Sequence, residues 1–238
     1  MIELYPAIDL RDGRCVRLHQ GDFRRETVYD GDPVAVALGF AEAGAPWIHV
    51  VDLDAARGGG PVNRPIVGAI TRAVRGSGAS VQAGGGVRTV DDAAKLAAAG
   101  VDRVVMGTAA IRDPSLVAEA SKVARVAVGL DHRGGVLATE GWSEGSGVTL
   151  TDAITRYPTA EAFVVTDISR DGTLAGPDVD GLRLLSADAP VPLIASGGVS
   201  SLDDLVALSA LPIAGVITGK ALYEGRFTVT EALAALAR

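Results

Sequence analysis

One cysteine, Cys15, is all the thiol this 238-residue chain carries. That excludes an intrachain disulfide and a thiolate metal centre, and it fits a reducing compartment. Although 48% of the residues are hydrophobic, no apolar run approaches the roughly 20 residues that span a bilayer. The charges of Glu3, Asp9 and Arg11 come too early for a secretory signal, so a cytoplasmic protein with no membrane partner is expected. Lysine is scarce, limited to Lys95, Lys122 and Lys220, and the net charge is −7. Without a global basic field no nucleic-acid partner is expected, and any anion must be held locally. The three histidines, His19, His49 and His132, are scattered, and no Ser/His/Asp or Cys/His nucleophilic set emerges. A G-x-G-x-x-G stretch opening the first helix is also missing, which disfavours an open doubly wound sheet.

What is present is alternation. Short apolar runs at Glu3–Ile8, Trp47–Asp52, Ser80–Ala83, Arg103–Met106, Arg125–Leu130, Ala162–Thr166, Pro192–Ala195 and Gly215–Thr218 read as strands buried on both faces. Between and after them lie helix-length stretches, among them Pro33–Ala43, Arg64–Arg75, Val90–Ala99, Pro114–Val123, Val179–Leu185, Leu202–Ser209 and Val229–Ala237. Thr89, Ser201 and Thr228 stand as N-caps before three of these. Eight βα units in a length close to the roughly 250 residues of a (β/α)8 TIM barrel predict an α/β fold, one domain over residues 1–238.

The barrel reads as doubled. Gly85-Gly86-Val87, Asp91-Asp92 and Gly107 recur as Gly197-Gly198-Val199, Asp203-Asp204 and Gly219, each 112 residues on. Ile8-Asp9 matches Leu130-Asp131 more loosely, so the first and fifth units correspond and a two-fold half-barrel repeat is expected. The glycine clusters Gly84-Gly85-Gly86 with Gly107-Thr108, and Ser196-Gly197-Gly198 with Gly219-Lys220, either close tight loops or each cradle a phosphate through exposed N–H groups and a helix start. Two symmetry-related clusters favour two phosphates, and hence a small substrate phosphorylated at both ends.

Asp9 and Asp131 end strands one and five, which face each other across a barrel mouth. Opposed carboxylates there can divide general-base and general-acid roles, the alternative being loop capping or a salt bridge to Arg11 or Arg133. The loop Thr166-Asp167-Ile168-Ser169-Arg170-Asp171-Gly172-Thr173 adds Asp171, either an acid or a simple Asp-Gly turn. Alternation places His49 and Asp52 on opposite faces of their strand, which argues against a metal site. Lys220 invites an imine reading, but its place after Gly219 favours a phosphate contact or a helix start. The polar stretch His19–Thr27 has the composition of a loop that closes over an anion, or of a solvated surface loop. Trp142 either stacks on a planar ring or packs a loop.

Taken together, Pro6-Ala7-Ile8-Asp9-Leu10, Gly13-Arg14, Val16-Arg17-Leu18, Val51-Asp52-Leu53-Asp54, Gly84-Gly85-Gly86-Val87-Arg88, Gly129-Leu130-Asp131, the Thr166–Thr173 loop and Ser196-Gly197-Gly198-Val199 closely resemble the HisA family across essentially the whole chain. These are the phosphoribosylformimino-aminoimidazole carboxamide ribotide isomerases of histidine biosynthesis. The resemblance implies an Amadori rearrangement of an aminoaldose to an aminoketose, with no cofactor or metal. It further implies Asp9 as proton acceptor, Asp131 as donor and Thr166 in support, Asp171 matching a position that supplies the acid in some members. Monomers are common in that family, so no protein partner is expected. Ser200–Leu205 and Lys220–Tyr223, together with Arg17, also look like the actinobacterial dual-substrate form, PriA, which isomerises phosphoribosylanthranilate in tryptophan biosynthesis as well. That form carries arginine where this chain has Glu140, a carboxylate that would repel anthranilate. A non-catalytic phosphosugar-binding barrel is the remaining alternative, and the paired aspartates argue against it.

Overall fold

The computed structural model describes residues 2–29, 31–58, 60–142 and 144–237. From the N-terminus come strand β1 (Glu3–Arg11), a hairpin of β2 (Arg14–His19) and β3 (Asp22–Tyr29), helix α1 (Pro33–Glu42), β4 (Trp47–Asp52), the short α2 (Leu53–Ala56) and α3 (Arg64–Val74). Then follow β5 (Ser80–Gly84), α4 (Val90–Ala98), β6 (Arg103–Met106), α5 (Thr108–Arg112), α6 (Ser115–Ala120) and β7 (Val126–Arg133). A second hairpin, β8 (Val136–Thr139) and β9 (Glu144–Thr149), leads through α7 (Leu150–Ile154) to β10 (Ala162–Asp167), α8 (Val179–Asp188) and β11 (Leu193–Ser196). The described chain ends with α9 (Leu202–Ser209), β12 (Gly215–Thr218), α10 (Lys220–Tyr223) and α11 (Val229–Leu236).

Eight of these strands pair in parallel in the cyclic order β1, β4, β5, β6, β7, β10, β11, β12 and back to β1, so the sheet closes into the (β/α)8 barrel. The side chains sort by alternation. Ile8, Leu10, Ile48, Val50, Val128 and Leu130 point outward into the shell shared with the helices. Tyr5, Ala7, Trp47, Ala127, Ala162 and Val164 point inward and fill the barrel with a second, smaller core. Tyr5 and Trp47 stack there with ring centroids 5.3 Å apart, and the Arg103 guanidinium lies 4.3 Å from the Trp47 ring, also bonded to Tyr5, Gln82 and Glu161. This layer is the floor of the barrel.

The three helix starts read from sequence carry capping boxes: Thr89 with Asp92, Ser201 with Asp204, and Thr228 with Glu231. The first two cap helices at equivalent places in the two half-barrels, with matching extended backbone at the cap. The stretch His19–Thr27, expected to be a loop, is instead the turn of the β2/β3 hairpin and most of its second strand, with β2 pairing antiparallel to β1. The β8/β9 hairpin stands at the matching place after β7. Each hairpin therefore grows directly from one of the two strands that carry the opposed aspartates. Among the described residues no helix is long and apolar enough to cross a membrane.

Candidate active site

Because Ala7 faces inward, Asp9, two residues on, does so as well. The same alternation carries Thr166 inward two residues on from Val164 on β10, His49 two on from Trp47 on β4, and Asp131 four on from Ala127 on β7. All four line one cavity of about 630 Å³ above the aromatic floor, a volume suited to a small-molecule ligand. Gly84-Gly85-Gly86, Gly107 and Thr108 form one wall. Ser196-Gly197-Gly198 with Gly219 and Lys220 form another, and Arg17, Trp142, Asp171 and Gly172 complete the lining. Thr173 does not reach the cavity: its hydroxyl donates to the Arg170 carbonyl and builds the turn.

Only glycine fits the two cluster loops. Gly85 and Gly197 have φ of 92° and 94°, and a Cβ at either would run into the backbone of Asp52 or Asp167 respectively, at the ends of β4 and β10. Gly107 and Gly219 precede α5 and α10. Around Gly219 the donors are in surplus: Arg17 Nε and Thr218 Oγ1 are buried with no hydrogen-bond partner among the described residues. The Arg17 guanidinium packs directly against Gly219, where a Cβ would collide with it.

Arg17 also ties this wall to the carboxylates. It donates from Nη1 to Asp9 Oδ2 at 2.7 Å and from Nη2 to the Ala7 carbonyl. The salt bridge weighed for Asp9 thus exists, with Arg17 rather than Arg11, which pairs with Glu26 instead. Across the cavity Trp142 Nε1 donates to Asp131 Oδ2 at 2.7 Å, and Thr166 sits beside Asp131 in register. Trp142 also lies against Gly21, so the turns of the two hairpins meet over the mouth. The Asp171 loop is held by the same hairpin, Gln20 N donating to the Asp171 carbonyl at 3.1 Å, and by Lys220 Nζ on the Gly172 carbonyl at 2.8 Å.

These surroundings separate the three acids. Burial raises all of their pKa values. For Asp9 the Arg17 charge and hydrogen bond oppose that rise. For Asp131 the Trp142 and Thr166 side chains oppose it. Asp171 is pushed up to about 7, first by burial and then by the negative charge of Asp9, with Asp131 adding to it. His49 moves the other way, to about 3, through burial and the nearby Arg17 charge, and is neutral at physiological pH. The sequence argues His49 out of a metal site and assigns it no other role; its alternation with Trp47 and Val51 is the signal for an inward-facing ring. Asp52 accepts from Ala55 N and Asn63 Nδ2, capping α2, and among the described residues no three His, Cys, Asp or Glu side chains gather as a metal site. Glu140, at the rim, pairs with Arg112 at 2.9 Å and donates its N–H to Thr108 Oγ1.

The family described as "Histidine biosynthesis protein" matches residues 3–228. A protein of Rhodospirillum rubrum is 50% identical over 98% of this chain and 99% of its own length. One from Paramagnetospirillum magneticum is 48% identical over 98% of both chains. A third, from Roseiflexus castenholzii, is 47% identical over 98% of this chain and 99% of its own. All three are named 1-(5-phosphoribosyl)-5-((5-phosphoribosylamino)methylideneamino)imidazole-4-carboxamide isomerase. With all eight barrel strands inside that match, the chain belongs to the histidine biosynthesis protein family.

Proposed function

We propose that this protein is the aldose-ketose isomerase that converts the phosphoribosylformimino-aminoimidazole carboxamide ribotide aminoaldose to the aminoketose. The observation that carries the reading is the placement of three acids in different environments between two symmetry-related glycine walls in one cavity. Each wall offers backbone N–H groups to one phosphate, Thr108 and Lys220 adding side-chain donors, and the surplus donors of Arg17 and Thr218 suit the anion at Gly219. The substrate then lies across the mouth with its reacting ribose between the aspartates.

The chemistry is proton traffic. Breaking the ring C–O bond requires a proton on the ring oxygen, while the substrate's own nitrogen supplies the electron pair that forms the C1 iminium. Removal of the C2 proton gives the enaminol, and reprotonation at C1 with loss of the C2 hydroxyl proton gives the ketone. No electrons enter or leave, so no redox cofactor is called for. Asp9 is the base, because the adjacent Arg17 charge favours its ionised form. Of the two acid candidates, Asp171 is the better donor, since a carboxyl with a pKa about 7 still holds its proton near neutrality. Asp131, gripped as an acceptor by Trp142, suits an orienting role with Thr166. A cytoplasmic site of action suits the lone, buried Cys15.

The test is turnover of the aminoaldose by purified protein without added metal. Asp9→Asn and Asp171→Asn should each lower kcat by about 10²–10⁴-fold. Full activity in both variants, or none in the wild type, would sink the reading. Phosphoribosylanthranilate should not be turned over, because the Glu140 carboxylate sits on the rim that its carboxylate would approach.

A further inference from the structure

The barrel floor contains a hydrogen-bond chain that ends in the active-site cavity. Arg103, on β6, is buried and donates from Nη1 to Gln82 Oε1 at 3.1 Å. Gln82, on β5, is fully buried, and its amide nitrogen stands 3.0 Å from His49 Nδ1 on β4. A guanidinium has donors only. The Gln82 oxygen must therefore face Arg103, and its NH2 group must face His49. An amide NH2 cannot accept, so the imidazole nitrogen it meets has to be the unprotonated one. A neutral ring that accepts at Nδ1 carries its proton on Nε2.

We propose that Gln82 and Arg103 are positioning residues that hold His49 as the neutral Nε2–H tautomer, presenting a hydrogen-bond donor at the floor of the active-site cavity. The chain is over-determined at its base. Arg103 is fixed by Glu161 through Nε at 2.9 Å, by the Tyr5 hydroxyl at 3.2 Å and by the face of Trp47. Glu161 is in turn clasped by Arg125 at 2.6 Å. The far end is free: among the described residues His49 Nε2 has no protein partner, and the ring lines the cavity together with Asp9 and Asp131. Its use rests on the isomerase reading. There, a neutral N–H at the cavity floor donates to the substrate C2 oxygen, which gains negative charge as the hydroxyl proton departs. A neutral donor stabilises that oxygen without surrendering its proton, whereas an imidazolium would compete with Asp171 as acid.

Nitrogen-15 NMR of the full chain with labelled histidine reads the tautomer directly, without substrate, His49 being assigned with a His49→Gln variant. The wild type should show a protonated Nε2 and an unprotonated Nδ1, unchanged between about pH 5 and 8. A protonated Nδ1, or a ring that titrates in that range, overturns the proposal. In Gln82→Glu a carboxylate facing His49 can only accept a hydrogen bond, which favours the Nδ1–H tautomer, so the Nδ1 signal should become protonated. In the same variant kcat should fall by about tenfold or more with KM within about twofold, and Gln82→Met should lose the fixed tautomer while keeping the side-chain volume. Unchanged nitrogen signals in Gln82→Glu, or a fall in apparent kcat that vanishes once rates are referred to the folded fraction, would also overturn it. If Gln82→Glu fails to fold, the wild-type spectrum and Gln82→Met decide. Should the protein turn over no aminoaldose at all, the tautomer measurement still stands, which separates this proposal from the isomerase reading.

Discussion

At the scale of single residues, the pKa of Asp171 makes two measurable statements. As a general acid it must be protonated, so kcat/KM should decline as the pH rises through about 7, and that limb should disappear in Asp171→Asn along with the bulk of the activity. Stability follows a related course. The native carboxyl keeps its proton up to about 7, whereas the unfolded chain releases it near about 4, so the unfolded state binds fewer protons between those values and stability is lost as pH rises through that window. Asp171→Asn should therefore grow more stable relative to wild type from about pH 4 to 7, by on the order of a few kcal/mol, with a constant gap above; urea melts at several pH values check it. Asp9, Asp131 and the glycine clusters were legible because strand periodicity and repetition mark them. The Arg17 to Asp9 pair and the Trp142 to Asp131 bond were not, since each joins a barrel strand to a side chain from the hairpin that follows it, and only the hairpins' geometry brings them together.

At the scale of elements, the doubling of the barrel extends to its helix caps. Thr89 and Ser201 have the same reciprocal bonds to Asp92 and Asp204. Thr89→Ala and Ser201→Ala should each cost about 1 kcal/mol and lower Tm by about 2–4 °C, with similar effects because the cap bonds match. A large inequality would show that the repeat is one of sequence more than of energetics. Caps and barrel strands could be read in advance because their signals are local: a hydroxyl before an acidic first turn, or an uninterrupted apolar run. The hairpins escaped notice because β3 and β9 are largely exposed and polar, so neither shows the apolar alternation that marks a strand. Their pairing is decided by the parent strand, as β1 and β7 run beyond the barrel rim and offer an open edge.

At the scale of the whole molecule, the two glycine walls predict a ligand ranking. A sugar phosphorylated at both ends engages both walls, so it should raise Tm more than two equivalents of a singly phosphorylated analogue, the increment growing with RT ln(1 + [L]/Kd). Equal stabilisation by the mono- and bisphosphate would leave one wall without a ligand. The closed sheet, the eight units and the two-fold repeat followed from the sequence because each unit reuses one pattern. The plugged floor did not, since it is assembled from Tyr5, Trp47, Gln82, Arg103 and Glu161, contributed by five separate strands or loops. That plug makes the barrel a cup rather than a tube. Among the described residues, reactant and product meet the same mouth, beneath two hairpin turns that touch one another, so one molecule must leave before the next is admitted. Dwell time in the cup, and with it inhibition by accumulated product, should therefore respond to substitution at the Gly21 and Trp142 contact, where the indole that meets the far hairpin also holds Asp131.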